Sequence, residues 1–261
     1  MQASQKIWIS GVILGSVFLG LLQSKAEAEV WANLEKSNHF LIYYQEAPAE
    51  YLSHLVNKAE RCYQDIADYL GFRRFDFWTW DNRCKIFLYP DAQQYLKTTG
   101  SVSWSRGSVE VYKKEISTYI NQDVFFDIIL PHEIGHIIFR EFVGYKNKLP
   151  LWLDEGVACM QEYGSSERLL IAQHLVKLRL YTRLEEFSKI HDSSVIIPFI
   201  FYNEAASIVD FLLRKFGRSQ FVQFCRWLRD EQDWEQALKS VYRFNNIEEL
   251  EQAWVADAMA N

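Results

Sequence analysis

His132-Glu133-Ile134-Gly135-His136 and, nineteen positions further on, Glu155 within Trp152-Leu153-Asp154-Glu155-Gly156 decide how this chain is read. An α-helix completes a turn in about 3.6 residues, so side chains four apart share a face. Two imidazoles on one helix therefore reach a single metal ion, with Glu133 beside it. Two His and one carboxylate, with a fourth position open, is the ligand set of a catalytic zinc site. Zinc takes neutral imidazole nitrogens and ionised carboxylate oxygens at about 2.0–2.2 Å. His132 and His136 supply the first two ligands and Glu155 the third, so one Zn2+ per chain is expected. Residues 137 to 154 lie between them, eighteen in all. That length lets the first helix end near Glu141, a turn run from Gly144 to Leu151, and a second helix start at Asp154 and pass back along the first. Glu133 is read as the general base toward a water that the metal polarises, and as the carrier of that proton to the leaving amine.

The chain has 261 residues, 49% hydrophobic and 24% charged, enough for one sizeable core or two small lobes. Its net charge is -6, with no basic tract beyond pairs such as Arg73-Arg74 and Lys113-Lys114. A nucleic-acid partner is not expected. At the N-terminus, Lys6 precedes an apolar run from Ile7 to Leu22, and Ala26-Glu27-Ala28 follows. This reads as a secretory signal over residues 1–28, cut after Ala28, giving a periplasmic or extracellular protein with no stable membrane anchor. The alternative is an uncleaved anchor, for which the run is short of the usual ~20 apolar residues. Cys62, Cys84, Cys159 and Cys225 match no metal or haem spacing. An oxidising compartment would allow Cys62 and Cys84 to pair, while Cys159 and Cys225 sit in apolar helical patterns. The oligomeric state is left open.

Strand-like runs cover Ser37 to Tyr44, Cys84 to Tyr89, Val109 to Tyr112 and Ile116 to Asn121. Glu50 to Leu70 has helical periodicity and stops at Gly71, and Asp91 to Leu96 reads as a short helix. Asp123 is placed to cap the motif helix, and Pro131 should kink it. Beyond the motif the helices expected are Asp154 to Tyr163, Glu167 to Tyr181, Tyr202 to Phe216, Ser219 to Arg229, Trp234 to Val241 and Ile247 to Ala258. The expected fold is α+β. A mixed sheet lobe spans about 29–122, the motif helix about 123–141 and an all-helical lobe about 142–261, with a cleft between the lobes.

His-Glu-x-x-His followed after eighteen residues by the Glu of Trp-Leu-x-Glu-Gly resembles the gluzincin zinc peptidases, whose catalytic domains are of the aminopeptidase N and thermolysin-like kind. Leu130-Pro131-His132-Glu133, and Tyr202-x-x-Ala205 leading into a helix that ends at Phe216-Gly217, look more like the smaller bacterial peptidase MA-like proteins. The resemblance covers the order of elements from roughly Trp31 to the C-terminus. It implies a thermolysin-like zincin fold, one catalytic zinc, and hydrolysis of a peptide or protein substrate. It implies His132, His136 and Glu155 as metal ligands and Glu133 as the base. It further implies an oxyanion-stabilising tyrosine, for which Tyr202 is the candidate, ahead of Tyr112, Tyr119, Tyr163 or a backbone N–H. In aminopeptidases a Gly-x-Met-Glu-Asn strand carries a Glu that binds the substrate amine. Gly107-Ser108-Val109-Glu110-Val111 stands in the corresponding place, making Glu110 the candidate, with Val109 and Val111 where the aminopeptidase strand has Met and Asn. The other class of reading is a catalytically silent metal-binding or envelope interaction protein on the same fold. The intact Glu133 separates the two. His39, His54, His174 and His191 stand alone and read as surface or structural. Acceptors for the ligand imidazoles are expected, with Asp127 and Asp154 as candidates.

Overall fold

A computed structural model describes residues 31–72, 78–79, 82–101, 105–120, 124–190, 196–231 and 233–260. Residues 1–30, which include the segment read as a signal, and Arg73-Arg74, Asp123 and His191 lie outside the described residues. One sheet forms from β1 (Asn33–Lys36), β2 (Phe40–Tyr44), β3 (Cys84–Tyr89), β4 (Gly107–Glu110) and β5 (Glu115–Tyr119), in the order β1-β2-β3-β5-β4. The three central strands run parallel, and both edge strands pair antiparallel. Strands alternate faces, and here one face is apolar: Phe40 and Ile42, Cys84, Ile86 and Leu88, and Ile116 are all buried. α1 (Ala49–Leu70) makes the crossover between β2 and β3. Leu52, Leu55, Ala59, Cys62, Ile66 and Leu70 recur on its buried side. It ends where Gly71 takes φ +81°, a left-handed cap that suits glycine. α2 (Ala92–Thr99) is capped by Asp91, whose side chain accepts from Gln94 N at 2.9 Å.

The motif helix is built in two pieces. A π-helical turn at Phe125–Ile129 leads into α3 (Leu130–Val143), which carries both histidines. Pro131 therefore sits in the first turn of α3, where a missing N–H is tolerated, and the expected mid-helix kink is replaced by the wide turn before it. Pro131 cannot donate to the Asp127 carbonyl, and that carbonyl accepts from Tyr163 N–H instead, at 2.8 Å.

α4 (Leu151–Cys159) starts at Leu151, three residues before the expected Asp154, behind Pro150. Trp152 through Cys159 are all buried, so α4 runs through the interior. Two glycines make that possible. A Cβ on Gly135 of α3 would lie 3.3 Å from Ala158 Cα. A Cβ on Gly156 would lie 2.3 Å from the Ala205 carbonyl oxygen of α7 (Pro198–Phe216), closer than any real contact. α4 is thus pressed between the motif helix and α7, which fixes the position of Glu155.

The other helices are α5 (Ser165–Lys177), α6 (Leu184–Phe187), α8 (Arg218–Glu231), α9 (Trp234–Ala237, running into a π-helical turn at Leu238–Tyr242) and α10 (Ile247–Ala260). The molecule is α+β, with a mixed sheet followed by a mostly helical C-terminal part. The strand expected through Tyr112 ends at Glu110, and Val111–Lys113 forms a 3-10 turn. All four cysteines are buried free thiols, so Cys62 and Cys84 are not paired. Among the described residues no helix is long and apolar enough to cross a membrane.

Candidate metal centre

Three unlike pieces of sequence meet at one point. His132 Nε2 and His136 Nε2 lie 3.1 Å apart, and Glu155 Oε2 lies 3.5 Å from each. All three residues are buried. Each ring is held by its other nitrogen. His132 Nδ1 meets Glu162 Oε1 at 2.8 Å, and His136 Nδ1 meets Asp154 Oδ1 at 3.0 Å. A carboxylate can only accept, so each Nδ1 carries a proton and the neutral ring has a bare Nε2. Three lone-pair atoms then face one another, and Glu155 Oε2 has no hydrogen-bond partner. Ligand atoms around a tetrahedral zinc ion stand roughly 3.3–3.4 Å apart, given bonds of about 2.0–2.1 Å. The donor triangle fits that size.

Charge makes the same case. Glu133, Asp154, Glu155 and Glu162 are buried carboxylates within this group. Two guanidiniums accompany them. Arg140 Nε reaches Asp154 Oδ2 at 2.6 Å, and Arg168 Nη2 reaches Glu162 Oε2 at 2.5 Å. With neutral imidazoles two negative charges remain, the amount that one divalent cation cancels. Burial opposes charge on His136, but Asp154 and Glu155 outweigh it and push the imidazole up to about 9. His132 also goes up: burial is the largest influence and opposes it, but the neighbouring Cys159, Glu155 and Glu162 override it. Asp154 is held low despite burial, chiefly by Arg140.

Glu133 is almost wholly buried, and its Oε2 has no hydrogen-bond partner. Burial raises its carboxyl, the two histidines pull it back, and Glu155 adds to the rise. Tyr202, on the first turns of α7, is likewise buried with an unpartnered hydroxyl. Burial, then the charges of Glu155 and Cys159, raise its ionisation far beyond the usual range, so it stays a donor. Of the other tyrosines considered, Tyr112 and Tyr163 are largely exposed, and Tyr119 packs on Tyr95. Glu110 stands apart from the buried group, with an exposed carboxylate 3.0 Å from Lys113 Nζ. Asp127 pairs with Lys58 at 2.9 Å and does not hold either motif histidine, whereas Asp154 holds His136. His39 pairs with Glu60 at 2.5 Å, His54 packs on Phe126, and His174 Nδ1 donates to the Leu170 carbonyl.

Three members of the site lie outside the sequence-based expectation. Arg140 is legible in hindsight, four residues beyond His136 on the same helix face. Glu162 and Arg168 are not, because Glu162 lies past the end of α4, where no helical spacing relates it to His132.

The mixed sheet, the histidine-bearing α3 and the crossing α4 define an α+β protein with a buried His/Glu group that can hold a metal ion. The family model for the Peptidase MA superfamily matches residues 87–260, a span that starts within β3 and takes in every residue of the group. The chain belongs to the Peptidase MA superfamily, whose peptidases are generally metal-dependent. No curated protein matches it significantly.

Proposed function

We propose that the chain is an exported zinc-dependent peptidase of the gluzincin type, with thermolysin-like lobes, that hydrolyses peptide bonds in a peptide or protein substrate. The observation that carries this reading is the triangle of bare acceptors, His132 Nε2, His136 Nε2 and Glu155 Oε2, with the unpartnered Glu133 carboxylate beside it. Those three residues would hold Zn2+, which when bound acts as a Lewis acid toward water and the substrate carbonyl. Glu162 and Asp154 keep each imidazole in the tautomer that leaves Nε2 free. Glu133 takes the proton of the attacking water and returns it to the leaving amine; its desolvated carboxylate makes it a stronger base than one in water. Tyr202 donates its hydroxyl to the developing oxyanion. Glu110, on the edge strand β4, is proposed as a substrate contact. A silent metal-binding module would have no use for a buried, unpaired carboxylate at Glu133.

The test is zinc content alongside hydrolysis of an unfolded generic protein by the purified mature chain. Activity abolished by a chelator and restored by Zn2+ is expected. A zinc-loaded, folded protein without hydrolysis of any unfolded substrate or peptide library would contradict the reading. Export rests on Ile7 to Leu22 and Ala26-Glu27-Ala28. Mass spectrometry of protein made in a secreting host should place the mature N-terminus at Glu29, and a full-length, membrane-retained product would overturn that part.

A further inference from the structure

The two ligand histidines are braced by different means. The brace on His136 is local to the metal motifs. Asp154 directly precedes the ligand Glu155, and Arg140 lies one turn beyond His136 on α3. The brace on His132 is not. Glu162 stands beyond the C-terminus of α4, and the next residue docks it against the motif helix through the Tyr163 N–H to Asp127 carbonyl bond of 2.8 Å. Glu162 then divides its two oxygens. Oε1 accepts from His132 Nδ1 at 2.8 Å. Oε2 takes two donors from Arg168, Nη2 at 2.5 Å and Nε at 3.0 Å. Arg168 comes from the first turn of α5, and its Nη1 reaches Asn203 Oδ1 on α7 at 3.4 Å. Asn203 is itself held by Nδ2 donating to the Phe199 carbonyl at 2.7 Å, and it is the chain neighbour of Tyr202.

We infer that Arg168 is a positioning residue of the metal centre, acting through Glu162 to fix the ring and tautomer of His132 and tying that ligand to the helix that bears Tyr202. This rests on the metal reading above. The physical reason is the division of the carboxylate. With two N–H donors filling Oε2, Glu162 has a fixed plane and one oxygen left for the imidazole. A fork-shaped guanidinium enforces that plane; an ammonium does not. A competing arrangement exists, because Cys159 Sγ falls in one group with His132 and Glu162, within 4.8 Å. Without Arg168, Glu162 loses both donors on a buried oxygen, and its hold on His132 Nδ1 is no longer unique.

The experiment measures zinc affinity by chelator competition, with circular dichroism to confirm folding, for wild type, Arg168→Met, Arg168→Lys, Glu162→Gln, the Arg168→Met/Glu162→Gln pair and His136→Ala. Arg168→Met should weaken zinc binding about 10–100-fold, the usual effect of losing an outer-sphere partner. Arg168→Lys should lose affinity too, but less. The double variant should bind no more weakly than Glu162→Gln alone, since Arg168 acts through Glu162. Wild-type affinity in Arg168→Met, or losses that multiply in the double variant, would overturn the inference. Should Arg168→Met fail to fold, wild-type affinity in Arg168→Lys overturns it equally. His136→Ala keeps the two readings separate. Undiminished zinc binding there refutes the metal site itself, whereas loss there with unaffected Arg168 variants refutes only the role of Arg168.

Discussion

His132 and His136 hold their Nε2 atoms 3.1 Å apart while each Nδ1 is tied to a carboxylate. Two bare lone pairs at that distance repel, and only protons or a shared cation relieve them. Metal and protons therefore compete for the same atoms. In the metal-free protein the carboxylates around His136 override burial and push it up to about 9. If the group takes up zinc near neutral pH, protons should be released and zinc affinity should rise with pH through the neutral range. Calorimetric titration in two buffers of different ionisation enthalpy measures the protons released. Buffer-independent binding heats, with an affinity flat across that range, would show that the rings hold no protons to displace.

Gly156 lies beside Glu155 of the donor triangle, at a close approach of α4 and α7. An alanine Cβ there would meet the Ala205 carbonyl oxygen at 2.3 Å, and backbone on both sides leaves no rotamer to relieve it. Gly156→Ala should cost about 1–3 kcal/mol or more in urea-induced unfolding, the range for overpacking. It should also weaken zinc binding by displacing Glu155. Unaltered stability would mean that α4 and α7 are not pressed together as described.

Tyr202 offers a test that separates chemistry from packing. Its hydroxyl is buried without a hydrogen-bond partner, so removing it strands nothing. Tyr202→Phe should keep or slightly raise the melting temperature and leave zinc content intact. If the hydroxyl donates to the oxyanion, kcat should fall with little change in KM, by a factor corresponding to ~2.7–4 kcal/mol. A normal kcat in this variant would return Tyr202 to a core role.

Glu204 supplies the clearest pH dependence of stability. It is fully buried and accepts Thr182 N–H with both oxygens, at 3.1 and 3.3 Å. Burial pushes its carboxyl from the ordinary 4.5 up to about 8. The folded state thus keeps a proton that the unfolded chain gives up. Stability falls as pH rises from about 4.5 to about 8, and the loss is complete above that. Glu204→Gln keeps an acceptor for Thr182 and does not titrate. It should match wild type in acid and exceed it above the window by a few kcal/mol, since each tenfold change in proton affinity is worth ~1.36 kcal/mol. Denaturant melts across that range decide it; parallel curves for the two proteins would contradict the assignment.

The sheet and the site differ in how far sequence reaches them. β3 is legible with its observed limits, because Cys84, Ile86 and Leu88 alternate and Pro90 follows the last residue. β1 escapes a sequence reading because all four of its residues are exposed, so an edge strand leaves no alternation to see. The start of α4 differs from the expected Asp154 because that helix is buried on every side and has no polar face to mark its phase. His132, His136 and Glu155 are legible as residue types at fixed spacing. Glu162 and Arg168 are not, since their approach to His132 depends on the Tyr163–Asp127 bond and the packing of α5, neither of which has a sequence period.

Metal-dependent peptide hydrolysis with Glu133 as the base stands or falls with Glu133→Gln. Zinc content by elemental analysis and hydrolysis of an unfolded protein are measured on the same preparations of wild type and variant. The amide keeps the shape of the carboxylate but cannot accept the water proton. Equal zinc in both proteins and a rate lower by ~10²–10⁴-fold or more in the variant are expected. Equal hydrolysis by zinc-loaded Glu133→Gln and wild type would contradict it.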